Sequence, residues 1–396
     1  MTKQDSPPKS PSLRLTSQRG GLLTTLINTI KTPAYVIDES KIEKNLMIFD
    51  RVQKQTGCKV ILALKAFATP VTFPLFRQYL AGTTSSSLNE ARLAYETFGK
   101  EVHVYSPAFK QEEFAEICHY ATTLTFNSFS QWNIFKSQVP NHIQCGLRLN
   151  PEHCEVDYPL YNPCVQYSRL GVTKKEFNPK LIEGLSGFLI HSLCGKLHDA
   201  LERTLMVVES NFGEYLHQMK WLDLGGGHIL TDKNYDIDHL CRQIDRIQST
   251  YNLQVIFEPG EALVKDAGYL VSEILDIVHN EMDITILDTS ATAHMPDVLE
   301  MPYRPEVIGS GHSGEKKYTY KLGGITCLSG DIIGDHSFDT PLRVGDKVIF
   351  TDMAQYTTVK NTLFNGVRLP SIVYLRKSGE LEMVKSFGYD TFKDRL

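Results

Sequence analysis

Four short stretches carry side chains able to do chemistry. Val60–Leu64 is an unbroken apolar run that ends on Lys65, and apolar residues resume at Ala66 and Phe67. An ammonium group in that setting is desolvated, which favours the neutral amine. A neutral lysine is the nucleophile of Schiff-base chemistry; the ordinary alternative is a lysine that snorkels from a strand end. In "SGFLIHS" (186–192), His191 follows Leu189 and Ile190. It reads either as a satisfied core histidine or as a flat ring able to stack on a planar ligand. "LGGG" places Gly225, Gly226 and Gly227 where successive N–H groups can cradle an anion, though a triple glycine alone is usually just a turn. "EPGE" (258–261) offers the carboxylates Glu258 and Glu261 around a tight turn at Gly260.

None of these decides a function alone; the elements that position them do. Residues 40–56 predict a helix opened by a capping box, Ser40 with Glu43, and ended by Gly57. Ile42, Leu46, Phe49 and Val52 share its apolar face. Strand patterns follow at 59–65, 82–86, 101–106, 122–127, 143–149, 186–192, 221–225 and 255–259, with helical patterns between most of them. Ser87 with Glu90 predicts a second capping box, and Asp199 a cap for a helix running through Leu205. Buried strands alternating with amphipathic helices imply an α/β protein with a parallel sheet, and eight such units in roughly 220 residues predict a (β/α)8 TIM barrel. Residues 151–171 lack helical patterning and read as a long active-site loop.

Beyond about residue 270 the pattern turns to strands and hairpins, in "YLVSEILDIVH", "DITILDTS", "KYTYKLGG", "GDKVIFTD" and "SIVYLRKSGELEMVKSF". The expected organisation is a polar, poorly ordered tail over 1–30, a barrel over 31–270 and a mainly antiparallel β domain over 271–396. The strand-like "TPAYVID" (32–38) is free to join either folded part.

In such a barrel the C-terminal strand ends carry the chemistry. Lys65, Arg148, His191, the glycine turn and Glu258 all fall at strand ends, and the glycines follow the seventh strand, the usual phosphate position of the fold. A desolvated amine, an anion cradle, a flat side chain and a carboxylate are together what pyridoxal 5′-phosphate needs for its aldehyde, phosphate, ring face and ring nitrogen.

The 396-residue chain, 42% hydrophobic, is long enough for two domains, and a formal net charge of −5 gives no reason to expect nucleic acid or an acidic membrane surface as partner. No apolar run approaches a membrane span. Eight cysteines without a C-x-x-C pair read as reduced cytoplasmic thiols. No metal site is expected: His153, Cys154 and Glu155 are adjacent and point in alternate directions.

"TPAYVID", "ALKAFA", "SRLGV", "DALERTL", "LGGGHI", "EPGEA", "DTSATAHMPDVLEMPYRP", "CLSGD" and "NGV" resemble motifs of the alanine racemase-like, fold type III pyridoxal-phosphate decarboxylases, and cover residues 32–366 nearly continuously. The resemblance is to the polyamine-forming members that decarboxylate carboxynorspermidine and carboxyspermidine. It implies that Lys65 binds the cofactor's aldehyde, His191 stacks on its ring, Gly226, Gly227 and Gly260 hold phosphate, Glu258 binds the ring nitrogen and Tyr356 reaches the phosphate. It further implies a homodimer with shared active sites. Cys327, the proton donor to the α-carbon, and Asp331 would then enter from the partner's second domain.

Related amino-acid decarboxylases carry an arginine after Glu-Pro-Gly; here Glu261 stands in its place. Exchanging a cation for an anion suits a polycationic substrate. Glu261, Asp297 and Glu300 are the acids expected to meet distal ammonium groups, with Asp331 and Arg148 as further substrate contacts. Gly195, where the family often has an acid, and Lys196 bear on fine substrate preference. The rival readings are diaminopimelate or ornithine decarboxylase, a racemase, which would need a second base where Cys327 stands, and a non-catalytic pyridoxal-phosphate carrier, which would leave residues 276–396 without purpose.

Overall fold

The computed structural model describes residues 29–156 and 158–396; the expected tail lies, except for its last two residues, outside them. Strand β1 (Ala34–Asp38) is buried along its whole length. Its last residue, Asp38, caps the helix Glu39–Thr56 by accepting from Ser40 N–H at 3.0 Å and Lys41 N–H at 3.2 Å. The helix therefore starts ahead of the expected Ser40 capping box, because an aspartate already stands in extended conformation where the strand ends. Gly57 closes it in the left-handed region, at φ 72°, with its N–H on Gln53 O.

Eight strands then close into a barrel: β2 (Lys59–Ala63), β3 (Gly82–Ser85), β4 (Glu101–Tyr105), β5 (Thr123–Phe126), β6 (Gln144–Leu149), β7 (Gly187–Ile190), β8 (Trp221–Asp223) and β9 (Gln254–Phe257). Neighbours run parallel throughout, and β9 returns to β2. Two glycines make room for the Trp221 ring: a Cβ at Gly146 or Gly187 would lie 2.2 or 2.0 Å from indole atoms. Side chains thus fill the barrel, and ligands are left to its rim.

Helices separate most strands, but among the described residues β6 and β7 are joined without an α-helix. Two short 3-10 turns, Pro159–Tyr161 and Pro179–Leu181, interrupt this connection. Asn127 pins it from both sides, accepting from Gly171 N–H and donating to Arg169 O, each at 2.8 Å. The next helix, His198–Leu216, has Leu197 at its N-cap. Asp199 sits inside the first turn, where it pairs with Arg203 at i+4 instead of capping.

The second sheet contains β10 (Gly268–Asn280), β11 (Met282–Leu287), β12 (Tyr318–Gly323), β13 (Ile332–Phe338), β14 (Lys347–Thr351), β15 (Ser371–Leu375) and β16 (Leu381–Lys385). Its order is β13-β12-β11-β10-β1-β15-β16, with β14 also on β10. Most pairs are antiparallel; β1–β15 and β11–β12 are parallel. β1 therefore belongs to this sheet, which brackets the barrel in sequence. β13, "IIGDHSF", has no clean alternation to announce it, since it buries His336 and Ser337 in place of apolar residues.

Candidate active site

Lys65 follows β2 and its side chain opens into the mouth of the barrel while protein surrounds it on most sides. Desolvation lowers its pKa, Arg148 adds to that, and the Glu258 carboxylate opposes it. Its loop is clamped from the sheet side: Tyr356 N–H donates to Ala66 O at 2.9 Å. Tyr356 holds φ 50°, a left-handed conformation that a tyrosine adopts only under such constraint.

His191, just past β7, places Nε2 3.4 Å from Lys65 Nζ. Its Nδ1 accepts from Gly226 N–H at 2.9 Å, so the neutral ring carries its proton on Nε2, facing the amine. Burial, with Lys65 and Arg148 close by, holds its pKa well below the usual histidine range. Arg148 donates to His191 O at 3.1 Å and lies over the Tyr105 ring, 4.8 Å from its centroid. It buttresses the histidine loop from inside the barrel.

The glycine turn leaves no room for side chains. A Cβ would lie 2.5 Å from Glu258 O at Gly226, 1.9 Å from Leu193 O at Gly227, and 2.4 Å from Ala66 Cβ at Gly260. Gly226 N–H is engaged by His191, so this residue contributes space and not a donor. Among the described residues the amides of Gly227 and Gly260 have no acceptor, and these two are the donors left available for an anion. Glu258 is held by its own N–H on Gly225 O at 2.9 Å. An amine of lowered pKa, two open amides, a neutral flat ring and a carboxylate acting on the amine fit pyridoxal phosphate.

A second cluster borders the first. Glu261 is largely enclosed, and burial raises its carboxyl pKa, Lys265 opposing and Asp352 and Asp297 reinforcing. Burial raises the Cys194 thiol pKa, Glu261 reinforcing and Lys65 opposing, so both groups act on it. Tyr161 OH donates to Asp297 Oδ1 at 3.3 Å. Asp297 and Glu300 both bind Lys360 Nζ. Asp297 and Glu300 are thus joined through a resident ammonium that sequence reasoning missed, and Asp297 acts electrostatically on Glu261.

Cys327 and Asp331 sit apart from this constellation. Cys327 is exposed on the loop between β12 and β13, with its N–H on Asn365 Oδ1 at 2.8 Å. Ile325, Leu328 and Phe364 are exposed beside it. Asp331 is buried and accepts from Ala291 N–H (2.7 Å), Thr292 N–H (3.3 Å), Thr326 N–H (3.2 Å) and Thr326 Oγ1 (2.7 Å). Within one chain it shapes the Cys327 loop, and its oxygens are engaged there.

Two residues, Asp223 and Lys360, escaped sequence reasoning. Asp223 is a buried acid beside Glu258; an aspartate inside the apolar strand of "WLDLGGG" was the available signal. Lys360 gave none, because only the fold carries "TTVKN" to Asp297.

A family model described as "Pyridoxal-dependent decarboxylase, C-terminal sheet domain" matches residues 34–354. A carboxyaminopropylagmatine decarboxylase from Synechocystis sp. is 46% identical over 373 residues, 93% of this chain and 96% of its own. A carboxynorspermidine/carboxyspermidine decarboxylase from Campylobacter jejuni is 42% identical over 377 residues, 92% and 98% of the two chains. The solved structure of carboxynorspermidine decarboxylase with norspermidine, also from Campylobacter jejuni, superposes with a TM-score of 0.87 at 40% identity, over 93% of this chain and all of that one. Diaminopimelate decarboxylase from Helicobacter pylori, at 18% identity and a TM-score of 0.79, over 94% of this chain and 100% of its own, shares the fold.

Proposed function

This chain belongs to the pyridoxal-dependent decarboxylases, and from that premise we propose that it removes the α-carboxylate of a carboxylated polyamine, carboxynorspermidine or carboxyspermidine, to give norspermidine or spermidine. Glu261 carries the substrate reading. An acid stands directly after the phosphate-side glycine, enclosed, with Asp297 in electrostatic reach and with Cys194 in reach of both it and Lys65. A substrate reacting at Lys65 meets negative charge at its far end, as a cationic tail requires.

Bound pyridoxal phosphate supplies an electron sink for the bond that releases carbon dioxide. The chain does the rest. Lys65, its amine kept neutral by burial, would hold the cofactor's aldehyde. His191, neutral and held by Gly226, covers one ring face. Glu258, as a carboxylate, would accept a hydrogen bond from the ring nitrogen and so hold the proton on it. The open amides of Gly227 and Gly260, with Tyr356, take the phosphate. Cys327 of the partner subunit donates a proton to the substrate α-carbon. The exposed loop around Cys327 and its apolar neighbours support a homodimer with shared sites. Asp331 supports that loop and would reach substrate only by exchanging its present partners. The eight free thiols suit the cytoplasm. No helix among the described residues is long and apolar enough to cross a membrane.

The 46% identity to the agmatine-type relative favours a second reading, a tail ending in guanidinium, which the paired carboxylates Asp297 and Glu300 would fit through the planar fork. The test is to incubate holoenzyme with carboxynorspermidine, carboxyspermidine, carboxyaminopropylagmatine, diaminopimelate, ornithine and arginine, and identify the amines formed. A triamine product supports the first reading and aminopropylagmatine the second. Turnover confined to diaminopimelate, ornithine or arginine contradicts both.

A further inference from the structure

Asp223 ends β8 two residues before the glycine turn, and no role above uses it. Its side chain is buried, 3% exposed. Oδ1 accepts from Gly225 N–H at 2.8 Å. The Glu258 carboxyl acts on that of Asp223 at hydrogen-bonding range. The arrangement follows from the barrel: β8 and β9 run parallel with Asp223 opposite Ile256, and Glu258 comes two residues later. Gly225 ties both, its N–H on Asp223 and its C=O on Glu258 N–H.

Two ionised carboxylates are acceptors only and cannot hydrogen-bond to each other; contact between them requires a shared proton. The neighbours decide where it rests. Glu258 acts electrostatically on the Lys65 amine, while His191, the next titratable ring, is neutral. The polar neighbours acting on Asp223 are Glu258 and the Gly225 amide, and burial pushes its carboxyl well above the usual range.

We infer that Asp223 is a positioning residue, a neutral carboxylic acid that donates to Glu258 and fixes one anionic oxygen toward the cofactor's ring nitrogen. This rests on the reading of Glu258 as the group that holds that nitrogen. An O–H···O⁻ bond is short and strong, and it locks a side chain that would otherwise rotate. Asparagine reproduces the neutral acid: its oxygen can accept from Gly225 N–H and its amide can donate to Glu258. Alanine reproduces neither bond and leaves the Gly225 amide unpaired.

The experiment is a titration of apoprotein with pyridoxal 5′-phosphate, followed by absorbance, for wild type, Asp223→Asn and Asp223→Ala. Asp223→Ala should weaken cofactor binding about tenfold or more, and Asp223→Asn should recover most of that loss. Two equally damaged variants would show that the charge of Asp223 is needed, and two undamaged ones that the contact has no role; either overturns the inference. Should Asp223→Ala fail to fold, difference infrared spectra of wild-type and Asp223→Asn apoprotein decide. A protonated-carboxyl band that shifts in heavy water and vanishes in the variant supports it, and no such band refutes it. Glu258→Gln separates the two claims: normal cofactor binding there removes the ring-nitrogen role and with it the purpose of Asp223, whatever the infrared band shows.

Discussion

Lys65, His191 and Glu258 stand at strand ends, and the chain's own bonds link them: Nζ to Nε2, Nδ1 to Gly226, Gly225 to both carboxyl-bearing residues. Cys327 sits instead on an exposed loop of the sheet domain, its N–H on one asparagine oxygen and apolar side chains uncovered around it. The difference teaches that the groups proposed to hold the cofactor are bonded to one another within one chain, whereas Cys327 is bonded to none of them, and on the proposed reading its proton would be delivered to another copy. The acid cluster lies between these extremes: assembled within the chain, but occupied by Lys360.

Removing the amine should break the first region outright. Lys65→Ala should lower turnover on the order of 10⁴-fold and abolish borohydride labelling of the Lys65 peptide; labelled peptide in the variant would place the anchor elsewhere. Cys327→Ala should cost about 10²-fold in turnover while leaving cofactor affinity and absorbance unchanged. A changed cofactor spectrum would mean that the two regions are not separable as described. Asp297→Asn should raise KM for the polyamine substrate about tenfold with little change in kcat, since it removes a charge-assisted contact far from the reacting bond; a kcat effect instead would move Asp297 toward the chemistry.

The smallest effect is one of pH, and each region holds a reporter. Burial lowers the pKa of His228, in the glycine loop, and of His294, in the sheet domain, each to about 4. The unfolded chain takes up these protons near pH 6.5 and the folded chain does not until about pH 4. Stability contributed by the neutral rings is therefore complete above the unfolded pKa and falls as pH drops through that window. The urea midpoint should decrease from pH 7 to pH 5, and His228→Gln should flatten the decrease. An unchanged slope would assign the effect to other groups.

The barrel was legible because its signals are local: apolar runs at strand spacing, and Lys65, His191, the glycine turn and Glu258 where each run stops. Capping was less so. Asp38 displaced Ser40 because it already stands in extended conformation where the strand ends, and Asp199 turned to Arg203 because it lies inside the first turn of a helix whose N-cap, Leu197, makes no side-chain cap. β13 was not legible, since polar residues satisfied by the fold, such as Ser337 on His312, replace the apolar alternation. Lys360 was not legible either: its partners stand some sixty positions away. Asp223 was, had an acid inside an apolar strand been read as a signal in the same way as Lys65.

The most direct measurement mixes Lys65→Ala and Cys327→Ala chains, each nearly inactive alone, after dissociation and reassociation. If Cys327 serves Lys65 of the partner subunit, one site of every mixed dimer is intact, and activity should return to about a quarter of wild type at equal mixing. A mixture that stays as inactive as its components would contradict the division of the active site between two copies.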